Sequence, residues 1–315
     1  MIRRSILVTM ALGALACGAL SAVPAGKAQG LVFETPEGAQ AFESGKAAFL
    51  ERKTVPAAEQ LAKARRAAKD KATQQEVDRW VRGLQGMADL EILERNLQKE
   101  PGWVYENAQR KFLVHIATPA ADFFRRLIEQ IENSEDKIVL KFESFEDQAR
   151  VYDAKFGHNY VLKAKEPEHV IDGEKALKWE CLPSQEKSRV FRVKDGRVPK
   201  DWSKYDSLGF WMYGVAGMNS RIEVCLTNER DQAPAKDAKS KRGATVRHDG
   251  FQAALQPHDG WRFVTISLKE PGKGSASFRK VGAGDLSKVG GLQFQLPTMK
   301  RFTVYLDNLV LIKSK

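Results

Sequence analysis

Between Pro36 and Glu132 apolar side chains recur at intervals of three and four residues, set among Ala, Glu, Lys, Arg and Gln with few β-branched residues. That is the period of an amphipathic helix, and the intervening composition favours helix as well. Local breaks divide the stretch. Thr35-Pro36-Glu37 reads as a helix start with proline in the first turn, running to about Leu50. Val55-Pro56 opens a second helix through Ala68. A third runs from about Thr73 to Leu97, with Gly86 as the point where it could be interrupted, and Pro101-Gly102 ends it. Two shorter helices follow, near Val104–His115 and Pro119–Glu132. Helices of this length joined by short breaks predict antiparallel hairpins.

At Asn133-Ser134-Glu135-Asp136 the texture changes, and from Ile138 the chain becomes short alternating runs separated by Gly, Pro, Asp and Asn. Such spacing predicts an all-β sandwich. The strands are expected at Ile138–Glu143, Tyr160–Lys163, Lys175–Cys181, Ser188–Val193, Ser207–Tyr213, Arg221–Thr227, Arg262–Leu268, Gly291–Leu296 and Phe302–Ile312. Lysine-rich 228–247 reads as a long hairpin loop, and Glu270–Ser277 as a second flexible loop. Parity assigns the faces. Leu208, Phe210 and Met212 alternate with Gly209, Trp211 and Tyr213. Ile222, Val224 and Leu226 alternate with Glu223 and Cys225; Val264, Ile266 and Leu268 with Phe263, Thr265 and Ser267; Leu292, Phe294 and Leu296 with Gln293 and Gln295; Leu177, Trp179 and Cys181 with Lys178 and Glu180. The aliphatic set belongs in a core and the mixed set outside. The fold class is therefore multidomain α + β: an α-helical bundle or helical-hairpin region over 31–134, then a β-sandwich over 138–315.

The first residues alter the picture of where such a chain works. Arg3 and Arg4 precede an apolar run from Ser5 to Val23, and small, turn-forming residues follow to Gly30. This three-part pattern predicts a signal peptide over about 1–28, cut after Ala25 or Ala28, and hence a secreted or periplasmic protein. A retained anchor, or lipidation at Cys17, are the alternatives. No later segment is apolar enough to span a bilayer. Cys181 and Cys225 remain after the signal, too few for a disulfide framework, and their parity sends them to different faces. The net charge is +11, and residues 137–315 carry 32 Lys and Arg against 22 Asp and Glu, whereas 31–136 carry 16 against 18. A basic exported domain suits an acidic polysaccharide or anionic surface, or is simply solvated; export argues against nucleic acid.

Five phrases carry a resemblance: FESFED at 142–147, DGEKALK at 172–178, DWSKYDSL at 201–208, DGW at 259–261 and VYLDNL at 304–309. Their order resembles that of jelly-roll carbohydrate-binding modules, the family 11-like and neighbouring galactose-binding-like domains, and the related complex I intermediate-associated protein domain. It covers about 138–315. In the helical part, Ala41, Phe42, Gly45, Ala48 and Phe49 with Ala57, Ala58 and Leu61 are similar to a tetratricopeptide helix pair, without a clean period of about 34 residues, and a small irregular bundle is the other reading.

Sugars present apolar C–H faces ringed by hydroxyls, so they need flat aromatic platforms and planar polar groups. Trp211, Tyr213, Arg221, Glu223, Gln293 and Gln295 supply both, provided their strands share one sheet; packing of the aromatic pair under the helices is the competing reading. In domains of the resembled kind the chain ends adjoin and often share a structural Ca²⁺, which implies Glu143, Glu146, Asp147 and Asp307 as ligands, with Asn308 able to add a carbonyl oxygen. Those acids could equally cap turns or pair with lysines such as Lys141. No hydrolase, phosphate-loop or Cys-x-x-Cys motif occurs. A hydrolase would need Glu180 and Glu223 facing one another across a cleft. The expectation is a non-catalytic, exported polysaccharide-binding protein. The alternative is a periplasmic or cell-surface scaffolding or assembly protein, whose jelly roll and helices bind protein partners.

Overall fold

The computed structural model describes residues 30–146, 159–164, 169–181, 189–193, 195–214, 221–228, 249–256, 258–269, 276–296 and 302–314. The expected signal peptide and the 229–248 stretch lie outside them. Among the described residues five α-helices come first: α1 (Pro36–Leu50), α2 (Thr54–Ala67), α3 (Lys71–Asn96), α4 (Pro101–His115) and α5 (Ala121–Glu132). Thr35 caps α1 by accepting the Gly38 N–H at 3.2 Å, and Asp70 caps α3 by accepting that of Thr73 at 2.7 Å. Pro101 occupies the first turn of α4, so the residues expected to end α3 also begin the next helix. α3 continues unbroken through Gly86, against expectation. A Cβ there would meet Ala120 and His115, so the glycine serves close helix approach instead of a break.

Twelve strands follow among the described residues: β1 (Val139–Glu143), β2 (Asn159–Ala164), β3 (Ala176–Cys181), β4 (Arg189–Val193), β5 (Ser207–Gly214), β6 (Ile222–Asn228), β7 (Gly250–Leu255), β8 (Gly260–Ser267), β9 (Ala276–Ser277), β10 (Arg279–Val281), β11 (Val289–Leu296) and β12 (Phe302–Ile312). A seven-stranded sheet runs β2-β3-β12-β5-β8-β9, with β1 also paired to β12; a five-stranded sheet runs β10-β7-β6-β11-β4. Ala276–Ser277 corrects the flexible-loop reading of 270–277 at its end: these residues pair in parallel with β8 at Ile266 and Ser267.

The two sheets enclose one core. Leu208, Phe210 and Met212 of β5 meet Ile222, Val224 and Leu226 of β6, Leu292 and Phe294 of β11, and Trp179 of β3. These are the aliphatic parity sets, so alternation identified the inward faces correctly. A second core lies on the other side of the seven-stranded sheet. There Trp211, Phe263, Val310 and Ile312 pack against Val104, Tyr105, Phe112, Phe124 and Ile128 of α4 and α5. Val32–Lys315 is thus one compact unit of three layers, helices on sheet on sheet. α5 supplies the apolar stripe for this seam, burying Phe123, Phe124, Leu127, Ile128 and Ile131.

Candidate functional site

The residues expected to form one sugar-binding face lie on two opposite sides of the sandwich. Trp211 and Tyr213 belong to β5 in the seven-stranded sheet, whereas Glu223, Gln293 and Gln295 belong to β6 and β11 in the five-stranded sheet. Arg221 stands exposed just before β6. Trp211 is only 1% exposed, within the apolar cluster that the helices complete. Its ring is therefore covered and offers no platform to a ligand. The physical reason is that the outer face of a sheet becomes a core face once an amphipathic helical layer packs on it, and strand parity cannot say which sheet that layer chooses.

Tyr213, one step further along β5, remains half-buried. Its ring centroid is 5.5 Å from Trp261 and 5.7 Å from Tyr305, and His169 stacks flat on Tyr305 at 4.0 Å. Tyr213, Trp261 and Tyr305 form a small cluster with Ala176 and Val170, and Trp261 also reaches Trp211.

Among the described residues the five α-helices share their apolar clusters with the seven-stranded sheet and none with the five-stranded one. Cross-strand register there lines up Arg192, Gln293, Cys225, Gln252 and Arg279 across β4, β11, β6, β7 and β10, with Gln295 and Glu223 paired beside them. Gln252 donates to the Glu223 carboxylate at 3.0 Å, fixing both planar groups. Gly291 allows the Arg192 guanidinium to lie over its strand: a Cβ there would come within 3.0 Å of Arg192 and of the Thr227 hydroxyl. Cys225, a free cysteine in the middle of the row, has its thiol pKa pushed up to about 11, by burial first and the nearby Glu223 charge second. The sequence reading found Glu223, Gln293 and Gln295 but missed Arg192, Gln252 and Arg279. Arg192 was legible from its alternation with Phe191 and Val193. Gln252 and Arg279 were not, because β7 and β10 are short on β-branched residues and were not recognised as strands.

The acids considered for calcium are engaged separately. Glu143 accepts the Phe145 N–H at 2.7 Å and lies 3.4 Å from Arg197. Glu146 accepts the N–H groups of Glu174 and Lys175 at 2.9 and 3.1 Å. Asp307 is fully buried at a bulge of β12, where Asn308 has φ +48; one of its oxygens accepts the N–H groups of Ile171 and Asp172 at 3.3 and 3.2 Å. Its other oxygen has no hydrogen-bond partner among the described residues. Lys141 forms a 2.8 Å ion pair with Asp172, which also accepts from Asn308 at 2.7 Å. No three such ligands converge among the described residues, and Asp147 lies outside them. The set as it stands does not fit a calcium cage, since Lys141 and Arg197 already supply the positive charge. Glu180 and Glu223 project from the outer faces of opposite sheets, so they do not form the facing carboxylate pair of a glycosidase.

No helix among the described residues is long and apolar enough to cross a membrane. No protein-family model and no curated protein matches this sequence. Among solved structures, the chain is similar to a family 11 carbohydrate-binding module from Clostridium thermocellum in complex with a β-1,3-1,4-mixed-linked tetrasaccharide. That likeness has 16% identity and a TM-score of 0.37, over 56% of this chain and 96% of that one. An exo-β-agarase is 14% identical with a TM-score of 0.41, over 56% of this chain and 25% of that one. A mutant of the CBM29-2 carbohydrate-binding module is 11% identical with a TM-score of 0.31, over 55% and 90%. The β-sandwich itself rests on the strand pairing described above, independently of these likenesses.

Proposed function

We propose that this is a non-catalytic carbohydrate-binding protein, exported by its N-terminal segment, that holds a glycan across the outer face of the five-stranded sheet. The observation that carries the reading is the row of planar polar groups, Arg192, Gln293 and Gln252 with Glu223 and Gln295 alongside, on the sheet that shares no apolar cluster with the described helices. Amides, a carboxylate and a guanidinium held in register can make paired hydrogen bonds to adjacent hydroxyls without breaking any bond. Tyr213 and Trp211 have no part in this face. A glycan array on the full mature chain tests it, followed by titration of Gln293→Ala and Arg192→Ala with the best ligand. Loss of about tenfold in affinity at either position, with unchanged melting temperature, is expected. A blank array, or wild-type binding by both variants, removes the reading.

A second reading, protein-partner docking through the helices, draws on Val55, Ile92, Trp103 and Val114, apolar residues that the helical layer leaves 42–69% exposed. It would be preferred if the array is blank.

A further inference from the structure

A cleft of about 800 Å³ opens where α4 meets the β8 side of the sandwich, and no isolated β-sandwich would possess it because α4 builds one wall. Its polar lining is Glu106 and Arg110 from α4, Thr265 and Arg262 from β8, and Gln256 and His258 from the connection between β7 and β8. Met212, Val264 and Leu255 provide an apolar floor.

The polar groups divide sharply into satisfied and unsatisfied. Arg110 donates to Thr265 at 3.0 Å and lies 3.4 Å from Glu106, which in turn accepts from Ser207 at 3.1 Å. That network fastens the helix to the sheet and neutralises itself. Arg262 is different: it is exposed and makes no ion pair among the described residues. His258 stands within its electrostatic reach, its ring nitrogens shielded from solvent beside the backbone of Gly260 and Asp259. Burial, then the Arg262 charge, hold this imidazole below the ordinary histidine pKa, opposed by hydrogen bonding with the backbone of Gly260 and Asp259 and by the Asp259 carboxylate. The adjoining Arg262 guanidinium, in contrast, has a full set of donors to offer.

We propose that this cleft binds a carboxylate-bearing saccharide unit, with Arg262 pairing the carboxylate, Gln256 meeting ring hydroxyls, and the apolar floor taking the C–H face. The ligand class rests on the carbohydrate reading above, but the site is separate from the sheet face, and the basic excess over 137–315 favours the acidic member of that class.

Isothermal titration of the full mature chain with trigalacturonate, with the neutral galactose trisaccharide and with inorganic phosphate tests it. Trigalacturonate is expected to bind at least about tenfold more tightly than the neutral trisaccharide and to weaken as salt is raised. Arg262→Gln should remove that preference, with unchanged melting temperature. Equal binding of acidic and neutral trisaccharides, wild-type behaviour of Arg262→Gln, or phosphate binding as tightly as trigalacturonate overturns the proposal. Gln293→Ala separates the two sites: if it weakens trigalacturonate while Arg262→Gln does not, the sheet face stands and the cleft falls.

Discussion

Trp211 and Phe263 sit opposite one another on the paired strands β5 and β8, their ring centroids 5.2 Å apart at 66°, and Tyr105 of α4 closes edge-on against Phe263 at 6.1 Å. This aromatic stack is the seam between the helical layer and the sandwich. Trp211→Ala should therefore behave as a core truncation and destabilise the chain by about 3–5 kcal/mol in denaturant unfolding. Tyr213→Ala, half-exposed at the margin, should have a smaller effect. The opposite pattern, a Trp211→Ala protein of near wild-type stability that no longer binds glycan, would mean the ring serves a ligand after all.

The same seam shows what the sequence could and could not convey. Alternation in β5, β6, β8 and β11 placed Leu208, Phe210, Val224, Ile266 and Phe294 inward, because a two-residue period and a buried face are one and the same constraint. Trp211 was legible as outward-facing but not as covered, since its cover comes from α4 and α5, about a hundred residues earlier. The candidate face suffered in the same way. Glu223 and Gln293 are neighbours only through the β6–β11 register, and Trp211 left their company because β5 joined the other sheet.

Cys225 offers a readout at the centre of that face. With its thiol pKa pushed up to about 11 by burial, only about one thiolate in a thousand exists at pH 8, against roughly a quarter for an unperturbed cysteine. Alkylation of the native protein at pH 8 should accordingly run about two hundredfold slower than in denaturant. Rates equal in the two conditions would show that the thiol is neither buried nor perturbed.

Chelation addresses the acids near the chain ends. Glu143 and Glu146 spend their oxygens on backbone N–H groups and Arg197, and Lys141 neutralises Asp172. Melting curves with EDTA and with millimolar calcium should coincide, and Lys141→Met, which breaks a half-exposed ion pair with Asp172, should lower the melting temperature only slightly. A calcium-dependent rise would show that Asp147 completes a cage with these residues.

Asp307 gives the sharpest dependence on pH. Burial drives its carboxyl well above the usual carboxylate range, reinforced by the charge of Asp172 and opposed by the Asp172 and Ile171 N–H groups and by Lys141. A folded-state pKa above the unfolded one means that the native protein holds this proton more tightly. The associated stability is complete below about pH 4 and is lost as pH rises through the folded pKa, by about 1.4 kcal/mol for each pH unit between the two values. Asp307→Asn keeps an oxygen for the two backbone donors and has no charge to bury. Glu106 and Glu132, also raised by burial, titrate alike in both proteins and cancel in the comparison, apart from coupling through Asp172. The stability of Asp307→Asn relative to wild type should thus increase steadily from pH 4 upward and then level off. Urea unfolding at one-unit intervals from pH 4 to pH 8 measures that difference; a flat line, or a variant that loses ground as pH rises, would mean that Asp307 is ionised and stabilised in the fold by a partner such as a bound cation.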